Sequence, residues 1–440
     1  MVAMIRPFAV ILVVGLLVGP TSTLAVTRHV PGEHSTIQAG LDASVAGDSV
    51  VVAPGIYTHV EVRDLGGPFR WTACVFMVNG VVLRSEGGPS VTAIEMDEAP
   101  GPQDQVILAL AVGTEFTSIE GFAITTSLPL RGCYLEGYLT YQNCAFHDLT
   151  AGQSSGGGIA ANGNLTLIGC EFENCRAFSG GAIYHANGWL EMHDTVVRDC
   201  GSVGVLSAGN YSDPPEGAYI EGCAFEGCWG TGVQFSDPYF GGATVRACRF
   251  VNNTNSTTGG GAIRKGSIGS TLVEDCLFLN NRTNGANGIG GAISIGGTAT
   301  ERENTFFGNS APHADVGGGA VALSGGPHQF MNNVIAESNV PAVFAYNAVV
   351  QSVCNVFWQN VGGAGVYFTH GPTDREVDPL FCDVPGGDFH VMVGSPCLPE
   401  GSIGCGLIGA FGEGCGVVSV ERQSWGKIKG AYRAPDGGQP

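Results

Sequence analysis

Four residues able to carry acid–base or ion-pair chemistry recur at nearly constant spacing: His147, Glu173, Arg198 and Glu226, at steps of 26, 25 and 28 residues. The position after each adds Asp148 and Asp199, with Asn174 between them. Two carboxylates flanking a sugar linkage, one protonated and one ionised, are the working pair of most glycosidases. If each step is one coil of a stacked structure, Glu173 and Glu226 stand two sheet spacings apart, roughly 9–10 Å, near the upper end of the separation used by inverting enzymes. Arg198 then lies between them. The same row also reads as a ladder of alternating, solvated charge, in which each basic group relieves repulsion between the acids above and below it. A second row, His185, Lys265 and His370, follows a glycine unit and is expected on the surface.

Such rows need a scaffold that returns the chain to the same place at every step. Aligning the short Cys-x-Phe motif gives apolar anchors at Phe146, Phe172, Val197, Phe225, Phe250, Phe278, Phe306, Val334 and Phe357. Between them sits a glycine unit, GGAI at 180–183, 260–263 and 290–293 and GGAV at 318–321. A period of about 25 residues with brief apolar bursts is too short for two long helices and fits one coil of three short strands. Two columns test this. Two residues before the anchor stand Cys144, Cys170, Thr195, Cys223, Cys248 and Cys276, then Asn304, Asn332 and Asn355. Three residues after it stand Cys175, Cys200 and Cys228, then Asn253, Asn281, Asn309, Glu337 and Asn360. Cysteine early and asparagine late in one column describes interior ladders, in which a thiol packs as a small apolar group and an amide hydrogen-bonds along the stack. These thiols are expected to be buried and unpaired.

The rest of the composition agrees. The chain has 70 glycines and only 13% charged residues, a mixture suited to tight turns and close backbone stacking. A net charge of −20 disfavours a phosphate backbone, so no nucleic-acid partner is expected. Residues 1–25 read as a secretory signal peptide, with Arg6 before an apolar run from Phe8 to Val18 and Thr23-Leu24-Ala25 as the cleavage site. No later stretch is apolar enough to span a membrane. Among fifteen cysteines, Cys382, Cys397, Cys405 and Cys415 lie outside the columns and are the disulfide candidates, with the pairing left open. The final stretch, 417–440, is a flexible basic tail. Ser424, Trp425, Gly426, Lys427, Lys429 and Arg433 read either as part of a frayed end or as a signal for export or sorting machinery.

GGAI paired with Phe-x-x-Asn, as in FVNN at 250–253 and FLNN at 278–281, resembles the repeats of polymorphic outer-membrane proteins over Cys144 to Asn360. The segment HVPGEHSTIQAGLDASVAGDSVVVAPGIY at 29–57 resembles the entry of right-handed parallel β-helix proteins of the pectin lyase-like fold, and 378–415 resembles their closing segment. The resemblance implies an all-β, right-handed parallel β-helix (β-solenoid) of roughly a dozen coils over 58–416. It also implies that 26–57 holds an N-terminal capping helix, begun at Ser35 or Thr36, and the first strand. A polymorphic outer-membrane protein would end in a membrane barrel, and no length is left for one. A polygalacturonase-like chain would carry Asp-Asp and Gly-His-Gly, which do not occur.

The sequence therefore points to an exported, non-catalytic surface protein, extracellular or outer-membrane associated, adhesin-like or contacting a glycan or a host-surface ligand. One alternative is a polysaccharide lyase or glycoside hydrolase using the His147–Glu226 rows, with Ca²⁺ required only for a lyase. The other is a structural envelope component. No cofactor or resident metal is otherwise expected.

Overall fold

A computed structural model describes residues 24–415 except 67–69, 99–103, 114–115, 209–216, 237–240, 268 and 313–317. The segment expected to be a signal peptide, apart from its last two residues, and the tail residues Ser424, Trp425, Gly426, Lys427, Lys429 and Arg433 lie outside the described residues.

One coil shows the pattern of all. Ile183–His185 forms its first face, Leu190–His193 its second and Val196–Arg198 its third. Each strand pairs in parallel with the coils on both sides, as in Ile159↔Ile183↔Val205, Leu165↔Leu190↔Ala218 and Phe172↔Val197↔Phe225. The first two faces join into a single 26-stranded sheet, because strands such as Arg131–Gln142 and Ile159–Ile168 run across both. The third face is a separate 13-stranded sheet. Alternation does the rest: the middle residue of each three-residue strand on the third face points inward, and its two neighbours point outward. The inward rings stack on one another, with centroids 4.5 Å apart for Phe146–Phe172, 4.9 Å for Phe225–Phe250 and 4.6 Å for Phe278–Phe306. Full burial of each such side chain contributes about 2–3 kcal/mol.

Why the strands are so short is visible in the backbone. Val196–Arg198 is bracketed by two residues with left-handed φ, Asp194 (48°) and Asp199 (52°), and Ala145–His147 by Asn143 (50°) and Asp148 (57°). Asn, Asp and Gly tolerate that region best, so they recur there and the chain turns sharply at both ends of the third face. The glycine unit has another cause: a Cβ on Gly181 would lie 1.9 Å from the Gly201 carbonyl oxygen of the next coil.

The interior columns stack as expected. Cys144, Cys170, Cys175, Cys200, Cys223, Cys228, Cys248 and Cys276 are buried free thiols. Their hydrogen bonds are weak: they donate to carbonyls, as from Cys144 Sγ to Ile119 O at 3.4 Å, and Cys223 and Cys276 Sγ accept from backbone N–H groups at 3.5 and 3.4 Å. The amides bond far better: Asn281 Oδ1 accepts from Asn253 N at 3.1 Å and from Asn253 Nδ2 at 2.9 Å, while Asn281 Nδ2 donates to Phe250 O at 2.9 Å. One coil departs from the sequence register. Phe306 pairs with Ile335, not Val334, which moves the amide ladder from Asn332 to Asn333 and the other column from Glu337 to Ser338. This coil is one residue longer before its anchor, and Asn332 takes the left-handed corner at φ 55°.

At the entry, the helix α1 (Ile37–Asp42) is capped by Thr36, whose Oγ1 accepts from Ala39 N at 3.1 Å. Ile37 and Leu41 enter the core, and buried Gln38 bonds both the N–H and the carbonyl of Phe76. The C-terminal segment does not sit across the open end of the cylinder. It folds back over the outside of the third face, placing Phe381, Phe389 and Phe411 against Leu277, Leu279 and Phe307. Gly409 N donates to Asn332 O at 2.7 Å and Ala410 N to Thr305 Oγ1 at 3.1 Å, which fix its track. Two disulfides hold it, Cys354–Cys405 and Cys382–Cys415. Cys397, a disulfide candidate from its place in the sequence, is instead a buried free thiol, pushed up to about 11 by burial. Its place is taken by Cys354, which sits at a left-handed corner at φ 59°, outside both interior columns.

Candidate functional site

The structure brings His147, Glu173, Arg198 and Glu226 into one outward row on consecutive coils, in the register Glu173↔Arg198↔Glu226. Their mutual contacts are ionic. His147 Nδ1 lies 3.4 Å from Glu173 Oε2, and Arg198 lies 3.6 Å from Glu173 Oε1 and 3.8 Å from Glu226 Oε2. The neighbouring outward row adds two residues that the one-row reading missed. Glu171 Oε1 accepts from Arg198 Nη2 at 3.2 Å, and Arg249 Nε is 3.9 Å from Glu226 Oε1. Strand alternation is the signal that finds them, since residues i and i+2 of a three-residue strand share a face.

Asp148 and Asp199 do not join this row. Both occupy left-handed corners, where their backbone N–H groups bond Glu173 O and Glu226 O of the next coil. Asp148 Oδ1 also accepts from Asn174 Nδ2 at 2.5 Å, so the acid is engaged in the corner stack.

The second row expected on the surface is divided by the structure. His185 and Lys265 lie inside the cylinder, in the column Ala161↔His185↔Ser207↔Phe235↔Lys265↔Ile295. His185 is held between Ser207 Oγ and Gly163 O, each at 3.0 Å, and burial lowers its pKa to about 4, so the ring is neutral. The carbonyl requires the proton on Nε2, which leaves Nδ1 to accept from the serine. Only His370 is exposed, 3.6 Å from Glu376. The glycine unit misleads here because the inward positions of the first face begin immediately after it.

One acidic group could in principle hold a cation: Glu274, Asp275 and Glu303 offer carboxylate oxygens within 4.8 Å of one another. Arg302 Nε at 2.7 Å and Arg246 Nε at 3.3 Å already compensate Glu274, so the cluster is an ion-pair network. Among the described residues no helix is long and apolar enough to cross a membrane.

The family described as right handed beta helix region matches residues 132–267 and 180–340. The chain is a right-handed parallel β-helix. Among solved structures, it is similar to the A-module of the mannuronan C-5 epimerase AlgE4 of Azotobacter vinelandii. That match has 13% identity and a TM-score of 0.41, and covers 78% of this chain and 95% of that one. Similarity to pectate lyase Pel9A is at 13% identity and a TM-score of 0.42, over 89% of this chain and 97% of that one. No curated protein matches the sequence.

Proposed function

We propose that this is an exported, non-catalytic β-helix protein that contacts glycans at a cell surface. The observation that carries the reading is the ionic arrangement around Arg198, which faces Glu171, Glu173 and Glu226 together at 3.2–3.8 Å. A glycosidase pair needs two carboxylates free to flank a sugar linkage, whereas one guanidinium here ties Glu171, Glu173 and Glu226 into a single ion-pair network. The same arrangement suits recognition: acceptors and donors alternate at the coil pitch along a face that the C-terminal segment leaves open. The two disulfides accord with an oxidising compartment outside the cytoplasm.

The test is a panel of neutral and uronic-acid glycans, with and without Ca²⁺, assayed for both binding and turnover against the full chain and its Glu173→Gln and Glu226→Gln variants. Binding without turnover is expected. Turnover that disappears in either variant would overturn the non-catalytic reading and return the face to a hydrolase or lyase.

A further inference from the structure

The outer side of the second face carries a different set of side chains from the charged row. Trp189, Glu191 and His193 alternate outward along one coil, and the next coil places Gly217, Tyr219 and Glu221 beside them. The backbone N–H of Trp189 is held by Asn164 Oδ1 at 2.8 Å. Its ring lies across Gly217: a Cβ on that glycine would sit 2.7 Å from Cζ3 and 3.1 Å from Cη2. Gly217 is buried beneath the ring, and its partner on the following coil, Gly242, is half-buried and also lacks a side chain, which leaves a low lane beyond the edge of the ring. Trp189 is 47% exposed. By contrast, the exposed ring of Trp229 is covered by the Arg176 guanidinium at 4.8 Å, Trp71 stacks on Tyr134 at 5.8 Å, and Trp358 packs beneath the C-terminal segment.

Beside the lane runs a hydrogen-bonding wall. His193 Nε2 lies 2.9 Å from Glu191 Oε1, and its Nδ1 is 3.7 Å from Glu221 Oε2. The His193 and Tyr219 rings are 5.7 Å apart. Arg246 on the following coil meets Glu274 at 3.3 Å and also reaches the Tyr219 phenol, which bonds Glu221 as well. The wall is thus a hydrogen-bonded network of Glu191, His193, Tyr219, Glu221 and Arg246 with more carboxylate than cationic groups at the lane.

We propose that Trp189 is the platform of a binding site for a neutral glycan chain, with the lane at Gly242 as floor and Glu191, Tyr219 and Glu221 as wall. This rests on the glycan-contacting reading and adds to it a place and a substrate class. An indole offers a flat apolar surface with a defined quadrupole, which fits the C–H face of a pyranose. Flanking carboxylates accept hydrogen bonds from vicinal hydroxyls and repel a uronate, as does the overall charge of −20. One sugar stacks on the indole, and the lane carries the chain onward along the coil stack, where adjacent coils are about 4.8 Å apart.

The full chain is titrated with hexasaccharides of cellulose, xylan, mannan and chitin, and with oligogalacturonate and oligoalginate, by tryptophan fluorescence and calorimetry. At least one neutral hexasaccharide is expected to bind and shift the emission. Trp189→Ala should weaken that binding at least tenfold, Trp189→Phe should restore part of it, and Gly242→Val should weaken it by obstructing the lane. Trp229→Ala, at a ring already covered by Arg176, should leave it unchanged. Neutral-glycan binding untouched by Trp189→Ala, or binding lost in Glu173→Gln alone, overturns this site while the glycan-contacting reading stands. A preference for the uronates overturns the substrate class, and binding to none of the six overturns the reading and the site together.

Discussion

The outer third face from Ala145 to Glu226 and the same face from Leu277 to Trp358 are built on one backbone plan. Each coil offers a three-residue strand, two outward side chains and two sharp corners. The first stretch turns His147, Glu171, Glu173, Arg198 and Glu226 outward, and water covers it. The second turns Leu277, Leu279, Phe307, Ala336 and Trp358 outward, and the chain's own C-terminal segment covers it. The interior changes over the same region, from thiols to amides between Cys228 and Asn253 in one column and between Cys276 and Asn304 in the other. A coil of this kind thus determines where a side chain points and leaves open what it meets there. Charge on an open stretch leaves that stretch to solvent, while apolar residues on the equivalent stretch mark a surface the protein fills itself.

The strongest test of this division removes an anchor of the cover. Phe389 is 2% exposed and packs on Phe307 at 5.3 Å between ring centroids. Phe389→Ala is expected to cost about 3–5 kcal/mol. Limited proteolysis should then cut within 378–415 while the coils from Ala145 to Glu226 stay protected, and loss of both together would break the comparison.

An interior histidine supplies the next test. His185, on the thiol side, titrates near 4 in the folded chain because burial disfavours its charged form, against 6.5 for an ordinary histidine. A depressed pKa of this kind contributes stability that is complete above 6.5 and is lost as pH falls toward 4, about 3 kcal/mol in all. Thermal melts from pH 7 to 4 should show His185→Gln losing less stability on acidification than the parent by about that amount.

The two ladders can be compared directly. Asn281→Ala strands the Phe250 carbonyl and the Asn253 N–H and is expected to cost about 2–3 kcal/mol. Cys200→Ala removes a small apolar group with weak bonds to carbonyls and should cost about 1 kcal/mol. Equal shifts in urea midpoint would remove the distinction between thiol and amide columns.

The smallest effect belongs to the open charged row. Arg198→Ala should change stability by less than about 1 kcal/mol, because its partners are solvated and screened. A larger loss in the melting temperature would mean that the row stabilises the fold rather than serving as a recognition surface.

Much of this architecture could be read from spacing. Recurrence at 25–28 residues places Phe146, Phe172 and Phe225 in one stack, and the stacking puts Glu173 beside Arg198 and Glu226. The columns of Cys and Asn were legible for the same reason, since only residues that occupy one site on successive coils trade with each other in this way. What spacing handled poorly was local slack: a single additional residue moved the eighth coil from Val334 to Ile335. It also mistook the inward positions of His185 and Lys265 for surface, because a buried polar side chain looks the same in sequence as an exposed one.

By itself, then, the amino-acid sequence determined the coil, its pitch and the columns, because those follow from periodicity and from the few residues that tolerate left-handed corners. Tertiary structure alone decided that Cys354 pairs with Cys405 while Cys397 stays free. It alone decided that 378–415 returns over Leu277 and Phe307, and that Trp189 lies across Gly217. Each of these is a contact between residues with no common period, set by which surfaces meet once the coils have stacked.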